Sequence, residues 1–125
     1  LDIPSIGTTH ADYFHDAIPC TDDMTADMMA EYEYNTGVVI VNKFKKDSIN
    51  YVHTPGVLVK NHGPFTWGKD ADEAVYHAVV AEQVAKMAFV SFSVNPKTTM
   101  NPLLVEKHFS RKHGPNAYYG QKKKD

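Results

Sequence analysis

The sequence predicts a layered α/β fold, with short strands feeding long helices. Three observations carry this. Two compact apolar runs, Val38-Val39-Ile40-Val41 and Val57-Leu58-Val59, have the β-branched character of buried strands. The stretch from Ala71 to Val94 repeats small and apolar residues at helical spacing. With 125 residues and 42% hydrophobic content, the chain is one domain or a large piece of one. At this length about two-thirds of the unfolded surface is buried on folding, enough for a core.

Residues 1 to 21 are rich in Pro, Gly, Thr and His and read as short extended pieces and turns. Met24 to Asn35 mixes apolar and acidic side chains and runs into Thr36-Gly37, a pattern that predicts a short helix stopped by a glycine cap. The Val38–Val41 run then predicts a buried strand, and the charged stretch from Phe44 to Asn50 a loop or a short helical turn. Pro55-Gly56 introduces the strand at 57–60, which delivers Asn61-His62-Gly63-Pro64 at its end; Phe65 to Gly68 continues as an extended piece.

The long helix is predicted over Ala71 to Val94. Asp70 caps its first amides and Glu73, three residues on, completes a capping-box arrangement. Ala74, Ala78, Ala81 and Ala85, with Val75, Val79 and Phe89, form the stripe expected to pack on the sheet, and Pro96 closes the helix. A last helix runs from Pro102 to about Lys112, followed by Gly114-Pro115 and a closing Tyr118-Tyr119 segment.

A net charge of −2 points away from nucleic acid and from anionic membranes as partners. The one basic run, Lys122-Lys123-Lys124, reads as a solvated tail over 122–125. The single cysteine, Cys20, excludes an intrachain disulfide and reads as a small buried hydrophobe in a reducing compartment. No run reaches the roughly 18 apolar residues of a membrane helix, so a cytoplasmic location is expected.

Several side chains are candidates for chemistry. His62, at a strand end before Gly63-Pro64, suits either a metal ligand or a hydrogen-bonded loop histidine. A catalytic zinc site needs three protein ligands, and no His-x-His or His-Glu-x-x-His pattern accompanies it. Asp12 lies among small and aromatic neighbours, where desolvation raises a carboxyl pKa toward a working range; a capping role is the plainer alternative. His108 and Arg111, three apart, share a helix face that is otherwise a solvated basic surface. Glu33 is an acidic position on the first helix, Tyr119 a C-terminal aromatic suited to packing on a neighbouring subunit, and His10 a structural partner for its neighbours. No Walker-type phosphate loop is present.

Three segments together have a family resemblance: Gly7-Thr8-Thr9-His10-Ala11-Asp12-Tyr13-Phe14, Asn61-His62-Gly63-Pro64-Phe65 and Ala117-Tyr118-Tyr119-Gly120-Gln121. In order and separation they resemble the L-ribulose-5-phosphate 4-epimerases of the class II aldolase family, and specifically the C-terminal half of such an enzyme. The resemblance implies a layered class II aldolase-like domain, with a mainly antiparallel central sheet flanked by helices, of which residues 1–121 are the C-terminal part. It implies zinc-dependent conversion of L-ribulose 5-phosphate to D-xylulose 5-phosphate by cleavage and re-addition of the C3–C4 bond, a reaction used in arabinose and ascorbate breakdown.

The same resemblance assigns roles to individual residues. Asp12 and Tyr119 match the two acid–base groups on opposite faces of the reacting carbon. His62 matches one of three zinc ligands, with a His-x-His pair expected upstream of Leu1. Thr8 matches a threonine lining the substrate pocket, His108 and Arg111 lie near the reacting carbon and the phosphate end, and Glu33 lies near the site. A homotetramer, with the tail reaching a neighbouring protomer, is implied as well. The segment from Met24 to Glu31 runs about one residue shorter than the family pattern. Two alternatives remain: a class II aldolase acting on a related substrate such as fuculose phosphate, and an inactive aldolase-like module that only assembles with partners.

Overall fold

The computed structural model describes residues 1–120; Gln121 and the basic tail at 122–125 lie outside the described residues. The chain is α/β. In order it forms a one-turn helix α1 (Thr8–Ala11), a 3-10 segment (Ala26–Glu31), α2 (Tyr32–Lys46), β1 (Gly56–Val59), β2 (Gly63–Thr66), α3 (Ala71–Val94) and α4 (Pro102–Lys112).

β1 and β2 form an antiparallel hairpin in the register Gly56↔Thr66 to Val59↔Gly63, leaving Lys60, Asn61 and His62 as its loop. Asn61 adopts the left-handed conformation at φ 62°, which asparagine tolerates better than most side chains. On the other edge of β1, Leu58 exchanges backbone hydrogen bonds of 2.8 Å with Pro19 and Thr21, and Ile3 pairs with Ile18. The expected extended pieces near the N-terminus thus widen the small sheet, with α1 inserted between them.

The expected strand at Val38–Val41 is helical. α2 runs through it without a break, and through Gly37, where a cap was expected to end the preceding helix. Thr36, Val39 and Phe44 are buried along one face of α2, while Gly37 is exposed. The intrinsic helix cost of valine is a few tenths of a kcal/mol, less than burying a valine and a phenylalanine contributes. The Thr36 hydroxyl bonds back to the Tyr32 carbonyl at 2.8 Å, so its polar group is satisfied within the helix. The helix expected over Met24 to Asn35 is accordingly a 3-10 segment followed by the start of α2.

α3 has its expected bounds. The Asp70 carboxylate accepts from the Glu73 amide at 2.8 Å, and the Glu73 carboxylate accepts from the Lys69 amide rather than from Asp70. Its buried ridge is Val80, Ala81, Val84 and Ala88, packed on Phe14 and Ile18 with Ile3 and Tyr13 alongside. Ala81 belongs to the expected stripe, but Val75, Val79 and Phe89 are 64%, 57% and 73% exposed. The N-terminal segment that carries Phe14 and Ile18 covers one side of α3, a helix whose apolar residues extend around more of its surface.

α4 begins at Pro102, with the Asn101 side chain accepting from the Leu103 amide, and packs against α1. Gly114, at φ 93°, turns the chain back so that the amides of Tyr118 and Tyr119 both donate to the Arg111 carbonyl at 2.9 Å. Cys20 is buried, as its reading as a small hydrophobe expected. Among the described residues no helix is long and apolar enough to cross a membrane.

Candidate active site

Asp12 caps the C-terminal end of α1, its amide donating to the Thr8 carbonyl at 2.9 Å. This turn is anchored from below. Ala11 is fully buried, and the buried His10 ring bonds through Nε2 to the Asp16 carbonyl at 2.7 Å. A carbonyl only accepts, so Nε2 carries the proton, and burial holds the ring below its ordinary pKa and neutral. His10 is the structural partner its sequence context suggested.

Above α1, the last turn of α4 closes on the Asp12 carboxylate. His108 Nδ1 lies 3.0 Å from Oδ1, and Arg111 donates to both oxygens at 3.1 Å. Lys112 Nζ lies 3.4 Å from Oδ2, and His113 Nε2 donates to the Asp12 carbonyl at 2.9 Å. The spacing of His108 and Arg111 puts both on the helix face turned toward Asp12, so the pair is an ionic contact rather than a solvated surface. Tyr119 lays its ring over the Arg111 guanidinium, 4.2 Å from its centre.

Burial by itself pushes the Asp12 carboxyl up. The hydrogen bonds from Arg111 and His108, with the charges of Lys112 and Arg111, outweigh burial and hold the carboxyl below its ordinary value. This reverses the expectation that desolvation would raise it. Asp12 is therefore a carboxylate at neutral pH.

Four of the candidate residues thus meet: Asp12, His108, Arg111 and Tyr119. Thr8 lies on the same turn as Asp12. His62 is not among them; it occupies the hairpin loop, exposed, with its ring stacked 6.4 Å from Tyr32 and tilted 5.3 Å from Phe65. Glu33 is exposed in the first turn of α2. Among the described residues no group of three or more His, Cys, Asp or Glu side chains could hold a metal ion. The residues present therefore do not form the zinc site that the resemblance implies: His62 offers one imidazole where three ligands are needed.

A cavity of about 360 Å³ opens beside Asp12, lined also by Tyr13, Tyr76, Lys112, His113 and Tyr119. The Tyr76 hydroxyl donates to that of Tyr13 at 2.8 Å, and this bond, with some burial, raises the Tyr76 pKa. Lys112 Nζ stands 4.4 Å over the Tyr13 ring. Lys112, His113, Tyr13 and Tyr76 were not among the expected site residues. The first two lie in the same basic run as His108 and Arg111 and Tyr13 adjoins Asp12, so adjacency was a usable signal for them. Tyr76 carries none, since only the packing of α3 on α1 brings it to Tyr13. Cavities of similar size lie elsewhere: an apolar one between α2 and Trp67, one beside His15 and His53, and one between Ser5 and the first turns of α4; none of these contains Asp12.

Residues 1–89 match the family described as the Class II Aldolase and Adducin N-terminal domain. Thr8, Asp12, Glu33 and His62 fall within the matched region, whereas His108, Arg111 and Tyr119, which complete the cluster around Asp12, lie beyond it. With the match extending from the first residue through most of α3, this chain belongs to the class II aldolase and adducin N-terminal domain family.

Proposed function

We propose that the chain is the C-terminal part, over residues 1–121, of an L-ribulose-5-phosphate 4-epimerase. Family membership supports aldolase- or epimerase-type chemistry in general. The single observation carrying the finer reading is the convergence on Asp12 of His108 and Arg111, from positions about a hundred residues downstream, with Tyr119 laid over Arg111.

On this reading the ionised Asp12 accepts the proton of the C4 hydroxyl. The O–H electron pair becomes the C4 carbonyl as the C3–C4 bond breaks, leaving an enediolate and glycolaldehyde phosphate. After the aldehyde rotates, the bond re-forms on its other face and Tyr119 donates a proton to the C4 oxygen from that side. A phenol, with a pKa of about 10, suits the donor's part. The ionised Asp12 carboxyl has room for the proton, although the cations that keep it ionised also weaken it as a base. Arg111 orients Asp12 through its planar fork, and His108 fixes Oδ1. The assembled enzyme would be a cytoplasmic homotetramer, with His62 and two upstream histidines as its zinc ligands.

A second reading, a non-catalytic module, is favoured by that lone His62. The deciding experiment measures zinc content and turnover of the 125-residue chain and of a chain extended upstream of Leu1. Zinc binding and interconversion of the two pentulose phosphates by the extended chain alone, with little aldehyde released, is the expected result. Free glycolaldehyde phosphate would identify an aldolase instead. Absence of both zinc and turnover in the extended chain would leave the assembly module, and full activity of the short chain would overturn the account of shared ligands.

A further inference from the structure

We propose that the exposed face of α3 is a two-fold interface with a second copy of this chain, the two α3 helices running antiparallel. The surface shares no residue with the cavity beside Asp12, so the inference goes beyond the proposed function and does not rest on it.

α3 buries one ridge, Val80, Ala81, Val84 and Ala88, and its neighbours among the described elements are α1, β1 and β2. On the opposite side Val75, Val79, Glu82, Lys86, Phe89 and Ser93 are all exposed. They follow one another at separations of 4, 3, 4, 3 and 4 residues. That alternation is the spacing of a heptad seam, which keeps a narrow strip of side chains turned toward a single partner helix. Scattered exposed valines need no explanation, but exposed apolar side chains aligned on such a strip mark a docking surface.

The order of residues along the strip says what docks there. Two small apolar positions lead to Glu82, and from Lys86 the strip returns through Phe89 to the small Ser93. An antiparallel copy centred between the two charges sets Val75 against Ser93, Val79 against Phe89 and Glu82 against Lys86, each contact occurring twice by symmetry. A parallel copy sets Glu82 on Glu82 and Lys86 on Lys86. Sliding the antiparallel pair by one heptad brings a charge against an apolar side chain at every second contact. The charges thus fix both orientation and register, as polar residues do in coiled-coil seams.

Within one chain Lys86 Nζ lies 3.1 Å from Glu82 Oε1, and an exposed pair of this kind contributes little to a single helix. Across the two-fold, four charges of alternating sign close into a ring, each between two of opposite sign. A further segment of the same polypeptide laid over this face as ordinary core would meet a charged pair in the middle of the strip with no complement. A second copy brings the complement with it. The seam from Val75 to Ser93 is about 27 Å long at 1.5 Å per residue, which places the contact at the small end of specific interfaces, with micromolar affinity.

The test is sedimentation equilibrium of the 125-residue chain from about 1 to 200 μM, a range that brackets micromolar association. A reversible monomer–dimer equilibrium is expected. Glu82→Lys and Lys86→Glu should each weaken it about tenfold or more, because each reversal turns two attractions across the two-fold into two repulsions. Mixed one to one, the two variants should associate with each other at least as tightly as the parent chain does with itself, since their seams then carry opposite charges. Val79→Asp should leave the chain monomeric over the whole range. All the substituted side chains are exposed, and far-UV circular dichroism of each variant checks that the fold is kept.

A parent chain that stays monomeric, association indifferent to both reversals, or a mixture of folded variants no tighter than either alone would overturn the proposal. Variants that regain association only with each other cannot have lost it by misfolding. A chain extended upstream of Leu1 should associate with the same response to the two reversals; loss of that response on extension would assign the face to the upstream segment and overturn the proposal as well.

Discussion

Replacing Asp12 by asparagine keeps the shape of the side chain and removes the charge on which the last turn of α4 converges. The side chains of Asp12, His108 and Arg111 are 13%, 20% and 22% exposed, so the cluster is largely withdrawn from water without being sealed. Removing one partner of a fully buried pair costs about 3–5 kcal/mol, and an exposed pair contributes less than about 1 kcal/mol. Asp12→Asn should therefore cost about 2–3 kcal/mol, a large part of the 5–15 kcal/mol typical of a small domain. Urea unfolding followed by circular dichroism measures the loss, and hydrogen exchange shows where it falls: the α4 amides should lose protection first. In the double variant Asp12→Asn/Arg111→Gln the two losses should fall short of additivity by about 1 kcal/mol or more. The sign of the pH dependence is also set. A carboxyl held below its ordinary value stabilises the fold above the unfolded pKa near 3.9, and that contribution disappears as pH falls through the lower folded value. The asparagine variant should lack this component of acid unfolding. A stability loss below about 0.5 kcal/mol, with α4 as protected as before, would refute the claim that this ionic contact holds the helix.

Two further predictions concern the frame of the site. His15 bridges Asp16 at 2.8 Å and Glu106 of α4 at 3.1 Å; burial lowers its pKa, but the bonds and charges of these carboxylates outweigh that and raise it. The clamp is then fully present below about pH 6.5 and is lost as pH rises through the higher folded value, an effect kept small by the exposure of both carboxylates. NMR titration of the His15 ring should give a midpoint above that of an unfolded histidine, and Glu106→Gln should bring it down; an unchanged midpoint would exclude the bridge. At Gly68 an added Cβ would lie 2.7 Å from Glu73 Cβ and 2.9 Å from the Ala74 amide nitrogen, inside the first turn of α3. Gly68→Ala should cost about 1–3 kcal/mol by displacing that turn, read as a lowered Tm, and an unchanged Tm would show the turn to be looser than its packing suggests.

What the residues alone determined were features whose cause is local. Asp70 and Glu73 announce the start of α3, Asn101-Pro102 announces α4, and the strand at 57–60 follows from a β-branched run after Pro55-Gly56. The His62 turn and the Asp12 segment were legible as motifs for the same reason: Gly, Pro, Asn and small neighbours constrain their own backbone. Tertiary structure decided the rest. Val38–Val41 satisfies a strand or a helix equally well over four residues, and only burial of Val39 and Phe44 chose the helix. Which apolar residues of α3 face inward depended on where Phe14 and Ile18 of the N-terminal segment come to lie, which no local signal in the helix specifies. The state of Asp12 was the least legible: its neighbours in the chain desolvate it, but Arg111, 99 positions away, and His108, 96 away, decide its charge. Desolvation is encoded next to a residue, whereas the Coulomb field that answers it comes from side chains that only folding brings within 4 Å.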